Sequence, residues 1–136
     1  MKIFLDADAC IGILNANDAL HERCRWLFAK VEADNPIWFT SWDVIDEVAT
    51  KVSYFMDKET AIYAVNFLQE TTTVVYIDQE RAKRATELFT SYESKRISMT
   101  DCINTVLFRE LSCDWMFSFD SFYRRESIEL LESKYD

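Results

Sequence analysis

An α/β/α sandwich, three layers built on a mainly parallel sheet of about five strands, is the architecture this sequence predicts. Three observations carry that expectation. Short apolar runs alternate with longer segments of helical period along the chain. Two of those runs, one near each end, finish on an acid, Asp6 and Asp120. The composition, 49% hydrophobic and 29% charged with one Gly and one Pro, is that of a compact, helix-rich globular protein rather than a disordered one.

Ile3, Phe4 and Leu5 read as a buried strand that delivers Asp6 at its C-terminal end, with Asp8 just beyond. In open α/β sheets the crevice outside such ends is where ligands bind. Residues 9–14 read as a short helix and 15–18 as a break, with Asp18 placed to cap the next helix. In that helix Leu20, Cys24, Leu27, Phe28 and Val31 recur at helical spacing. Asp34, Asn35 and Pro36 end it, and Ile37, Trp38 and Phe39 form a second strand.

Thr40 or Ser41 then offers an N-cap to a helix with the stripe Val44, Ile45, Val48, Val52 and Phe55. At about 100° per residue, Glu47 falls at the edge of that stripe and Asp46 points away from it. Asp57 is placed to cap a further helix lined by Ala61, Ala64, Val65 and Leu68, and the β-branched residues 73–77 form a third strand. Asp78 caps a helix with Ala82, Ala85, Leu88 and Phe89 facing inward.

After a polar loop at 92–98, Ser98 or Thr100 caps a helix whose core residues are Cys102, Ile103, Val106, Leu107 and Leu111. Asp101, Asn104, Thr105 and Phe108 lie on a separate stripe, which puts a carboxylate, an amide and a hydroxyl on one face near a helix N-terminus. Residues 115–119 are the fourth strand and 128–131 a short fifth.

The length suits one domain over residues 1–136. An apolar run of three residues that then meets acids is no signal peptide, and no stretch approaches membrane-span length, so a cytoplasmic protein without a membrane partner is expected. Cys10, Cys24, Cys102 and Cys113 lack zinc spacing and read as reduced, mostly buried thiols, while His21 reads as a partly exposed helix residue. A net charge of −9 argues against a general basic face for nucleic acid. It leaves open a nuclease whose local positive charge comes from metal ions among carboxylates.

Asp6, Glu47, Asp101 and Asp120 stand at element ends or edges. Gathered in one crevice, such acids raise one another's pKa, and a hard divalent cation relieves that conflict. With oxygen donors only, Mg²⁺ or Mn²⁺ is the expected ion. Spacing alone does not show that the four meet.

The segments Ile3-Phe-Leu-Asp6, Val44-Ile-Asp-Glu47-Val48, Ser98-Met-Thr-Asp101-Cys-Ile and Phe117-Ser-Phe-Asp120-Ser-Phe resemble, in order and spacing, the PIN domain. More narrowly they resemble the bacterial and archaeal VapC-type toxins, over nearly the whole chain. The resemblance implies a Mg²⁺- or Mn²⁺-dependent endoribonuclease of a type II toxin–antitoxin pair, acting on tRNA, rRNA or mRNA. It further implies a homodimer silenced by a cognate antitoxin protein. Asp6, Glu47, Asp101 and Asp120 are then the metal-binding acids, and Ser118 steadies the site or a bound water.

The family follows its first acid with a hydroxyl, where this chain has Ala7. Asp8 either adds a fifth acid or caps the first helix, the latter being favoured. Asn104 and Thr105 are supporting candidates. Lys95 and Arg96, and Arg124 and Arg125, flank the acids and are candidates for RNA phosphate contact. Trp26, Trp38, Trp42, Tyr54, Phe55 and Phe67 belong to the core or to a dimer or antitoxin interface.

Two other readings remain. Asp6-Ala-Asp8 after an apolar strand also resembles the nucleophile motif of haloacid-dehalogenase-type phosphatases, but the residues after Asp8 and beside Asp120 depart from that pattern and Glu47 and Asp101 go unused. A non-catalytic PIN-like binding module is the other.

Overall fold

The computed structural model describes all 136 residues. Strand β1 (Lys2–Leu5) leads into helix α1 (Ala7–Leu14), followed by α2 (His21–Glu32), β2 (Ile37–Ser41), α3 (Trp42–Phe55), α4 (Lys58–Thr71) and β3 (Thr73–Val75). The chain continues through α5 (Gln79–Thr90), α6 (Met99–Glu110), β4 (Trp115–Phe117), α7 (Phe122–Arg125) and α8 (Glu132–Tyr135). The four strands form one wholly parallel sheet in the order β3-β2-β1-β4. The chain builds outward from β1 on one side, then crosses back to lay β4 on the other. The reversal between β1 and β4 makes the C-terminal ends of these strands the topological switch point, where Asp6 and Asp120 are delivered.

Both faces of β1 are covered, which explains its unbroken apolar run: Ile3, Phe4 and Leu5 are buried. Helices α3 and α6 bury Val44, Ile45, Val48 and Val52, and Cys102, Ile103, Val106 and Leu107, but the last residue of each expected stripe is not buried: Phe55, at the end of α3, is 72% exposed and Leu111, the C-cap of α6, is half-buried. Side-chain caps fix several entries. Ser41 Oγ accepts from Val44 N at 3.0 Å, Asp57 from Thr60 N at 2.6 Å and Asp78 from Arg81 N at 2.8 Å.

The sequence-based expectations need correcting at several points. The sheet has four strands, not five: residues 128–131 make a single bridge, Met116 with Leu130, and form an irregular segment against β4 that buries Ile128, Leu130 and Leu131 and leaves Glu129 exposed. The third and fourth strands stop at Val75 and Phe117. Asp18 does not cap α2; its carboxylate accepts from Leu20 N at 2.9 Å, shaping the turn before the helix. On α5, Ala85 is buried and Leu88 half-buried, while Ala82 and Phe89 are exposed, because only a narrow strip of this helix meets α6. His21 is half-buried with Nδ1 at 2.8 Å from the Gly12 carbonyl, and Cys10, Cys24 and Cys102 are buried free thiols.

Gly12 is where α1 and α2 press together. A Cβ there would overlap the sulfur of Cys24, which is itself fully buried. Gly12→Ala is therefore expected to cost about 1–3 kcal/mol by overpacking, despite a helix-propensity gain of about 1 kcal/mol. Urea unfolding should show that loss in the native background and its relief when Cys24→Ala removes the sulfur.

Candidate active site

Asp6 ends β1 and caps α1, its Oδ1 accepting from Ala7 N at 2.8 Å. The same oxygen accepts from Asn104 Nδ2 on α6 at 3.1 Å, and Oδ2 accepts from the Tyr123 hydroxyl on α7 at 2.9 Å. The second amide hydrogen of Asn104 reaches the Tyr123 oxygen at 3.1 Å, and its Oδ1 accepts from Ser41 Oγ at 3.1 Å. Ser41 is the same residue that caps α3. Each hydrogen in this buried chain has an acceptor, so the orientation of the Asn104 amide follows from its partners. Four elements are thereby tied to one carboxylate.

Asp8 is not the cap of α1, because Asp6 occupies that position. Its Oδ2 accepts from Phe119 N at 2.8 Å and Ser118 Oγ at 3.2 Å, and its Oδ1 from Ala9 N at 2.8 Å. Ser118 Oγ also accepts from Asp120 N at 3.1 Å. Asp8 and Ser118 thus lash the start of α1 to the exit of β4. Asp101 sits in a capping box with Ser98, its carboxylate accepting from Ser98 N and its amide donating to Ser98 Oγ, both at 3.1 Å. Asp120 is exposed, and its Oδ1 accepts from Phe122 N at 2.9 Å. Glu47 is half-buried, with Lys51 at 3.6 Å.

Burial above all, then the charge of Asp8, pushes the Asp6 carboxyl up to about 8, and Asp101 adds to the push. Burial raises Asp101, with Asp120 and Glu47 contributing; burial likewise raises Asp8, with Asp120 contributing. Five carboxylates therefore share one electrostatic field, and the only ion pair any of them makes is Glu47 with Lys51. No three of them form a ready-made ligand cluster. The donor set fits a hard divalent cation in its chemistry: it is all oxygen and short of counter-charge.

Thr105 does not reach this crevice; it is buried and its hydroxyl donates back to the Asp101 carbonyl at 2.9 Å. Of the basic candidates, Arg96 and Arg125 line a pocket with Asp120. Arg124 turns instead to Glu132 at 2.9 Å, and Lys95 is exposed outside that pocket. Tyr123 and Ser41 are the residues that sequence reasoning missed. The one available signal for Tyr123 was its place three residues after Asp120, since a buried tyrosine hydroxyl must find a partner.

The fold is a wholly parallel α/β/α sheet in which Asp6 and Asp120 follow the two strands that meet at the switch point. Residues 3–126 match the family model of the PIN domain, and the chain belongs to that family. Its fold is similar to that of Mycobacterium tuberculosis VapC20, described as a Sarcin-Ricin loop cleaving toxin, with a TM-score of 0.83 at 20% identity over 93% of this chain and 95% of that one. VapBC2 from Rickettsia felis, bound to a DNA fragment from its promoter, is similar at a TM-score of 0.69 and 16% identity, covering 96% and 97%. VapBC-1 from nontypeable Haemophilus influenzae is similar at 0.66 and 15%, covering 96% of each chain. No curated protein matches. The family match sets the phosphatase reading aside, and Asp8, its second acid, is bound up with Ser118 and Phe119.

Proposed function

We propose that residues 1–136 form a single domain that cuts RNA internally as a Mg²⁺- or Mn²⁺-dependent endoribonuclease, the toxin half of a VapC-type toxin–antitoxin pair. The observation that carries this reading is the PIN-domain match over residues 3–126, which spans the acids Asp6, Asp8, Glu47, Asp101 and Asp120, whose one ion pair is Glu47 with Lys51. Asp6, Glu47, Asp101 and Asp120 would hold the ion, with Asp8 close by. Bound there, the ion supplies the positive charge that attack of water on a phosphodiester demands. Tyr123 and Asn104 orient Asp6, the Ser98 box orients Asp101, and Ser118 positions Asp120 through its backbone. The test is incubation of the protein with a mixed RNA pool in Mn²⁺ or Mg²⁺ against EDTA. Internal cuts that EDTA abolishes are expected; cutting that persists in EDTA would overturn the metal assignment.

The hydroxyl of Tyr123 gives a sharper prediction. Tyr123→Phe removes the donor to Asp6 Oδ2 while keeping the buried ring. Loss of such an outer partner is expected to weaken Mn²⁺ binding by at least about tenfold, with a stability cost of about 1 kcal/mol. The Mn²⁺ concentration dependence of the melting temperature reads the first, and the metal-free melting temperature reads the second.

An antitoxin and a second copy of the chain are the proposed protein partners. A wholly apolar groove of about 210 Å³, walled by Leu5, Ile13, Leu14, Phe28 and Phe67, and a separate exposed pair, Tyr54 at 83% and Phe55 at 72% exposure, are suited to such contacts.

A further inference from the structure

Of the eight arginines, Arg23, Arg81, Arg84, Arg109 and Arg124 are in ion pairs. That is the expected fate of arginine in a chain with 24 acidic and 15 basic residues. Three are left without a carboxylate: Arg25, Arg96 and Arg125. Two of these three, from segments far apart in sequence, line the same pocket of about 350 Å³. Its other polar lining is Ser94, Ser121 and Asp120, so it opens beside one of the proposed metal-binding acids, Asp120. Neither arginine pairs with Asp120.

Hydrogen bonds brace both walls. Ser94 Oγ accepts from Arg96 N at 3.3 Å, which shapes the loop before α6. The opposite wall, α7, is anchored through Glu126: its carboxylate accepts from the Tyr92 hydroxyl and from Arg109 at 3.0 Å. The guanidinium groups are thus carried by braced segments while having no protein anion of their own.

We infer that Arg96 and Arg125 form a subsite for a second phosphate of the RNA strand, flanking the bond that is cut on the Asp120 side. The inference rests on the nuclease reading and deepens it. Two guanidinium groups offer forked donors that match phosphate oxygens, and the Ser94 and Ser121 hydroxyls add neutral ones. The pocket contributes a net positive site at the edge of a negative crevice, so a strand is held by one phosphate while the next lies over the acids. Contacts of this kind fix register without reading sequence. The subsite also makes the protein dependent on a strand that extends past the cleaved bond.

The test is binding of a labelled, uncleavable 2′-O-methyl oligonucleotide to metal-free protein in EDTA, followed by anisotropy. A length of about eight nucleotides and a salt series starting near about 50 mM suit a single-stranded site. Arg96→Gln and Arg125→Gln are each expected to weaken binding about tenfold and to lower the salt slope by about 0.7, one phosphate contact on a single strand. Lys30→Gln, a loss of the same charge on α2, is expected to leave both unchanged. Binding that is absent from the native protein, unaltered in the arginine variants, or equally weakened in Lys30→Gln would overturn the subsite. Metal-dependent RNA cutting, assayed separately, keeps the two readings apart. Cutting without arginine-dependent binding removes the subsite alone, and arginine-dependent binding without cutting removes the nuclease alone.

Discussion

Asp101→Asn is expected to abolish metal-dependent RNA cleavage, by about a thousandfold or more, while leaving the fold intact. The two halves of this expectation come from different atoms. Asparagine keeps a side-chain oxygen to accept from Ser98 N and keeps its own amide to donate to Ser98 Oγ, so the capping box at the start of α6 survives. What is lost is the negative charge, in a position where Asp120 and Glu47 already act on the carboxyl and where a divalent ion needs anionic oxygen. Melting curves without metal should show the variant folded and at least as stable as the native protein, because the charge it lacks is one that burial, Asp120 and Glu47 oppose. Full cleavage by the variant would remove Asp101 from the site.

The second large effect is on stability. A carboxyl raised in the folded state, as Asp6 is from 3.8 to about 8, favours folding when protonated. Its contribution is fully present below about pH 3.8 and is lost as pH rises through about 8. Ordinary carboxylates work the other way. Glu110, lowered from 4.5 to about 2 by Arg81 and Arg84, contributes above about 4.5 and is lost only in stronger acid. The metal-free protein should therefore be several kcal/mol more stable near pH 5 than near pH 8. Saturating Mn²⁺ should raise stability most at the alkaline end and flatten the profile. Asp6→Asn should flatten it too. Chemical denaturation in EDTA across that range reads the slope, and equal stability at both ends in the native protein would show that Asp6 ionises freely.

The outline of the fold and the acids was legible because both depend on local rules. A strand buried on both faces must be apolar, so Ile3–Phe4–Leu5 stood out, and the acid at its end fell where parallel sheets place their ligands. What failed were cases in which tertiary packing chose between equal local options. Residues 128–131 are as apolar as a strand but lie against Met116 with a single bridge, and periodicity does not encode that register. Asp6 and Asp8 were both able to cap α1; the choice fell to Asp6 because Phe119 N and Ser118 Oγ, about 110 residues on, claim Asp8. Asn104 was legible as a polar residue on the acid-bearing face of α6. That it would bridge Asp6, Tyr123 and Ser41 was not, since those partners lie on three other elements.

The place of β4 beside β1 has a consequence for synthesis on the ribosome. Strand β1 is hydrogen-bonded to β4, more than 100 residues later in the chain, and Asp6 receives its Tyr123 partner only once residue 123 has been made. A nascent chain grows from its N-terminus at about 5–20 residues per second, and throughout that time β1 has one edge open and its acids ungathered. The proposed activity therefore cannot switch on part-way through translation, and the machinery making the protein is spared an RNA-cutting product until Asp120 and Tyr123 have left the exit tunnel.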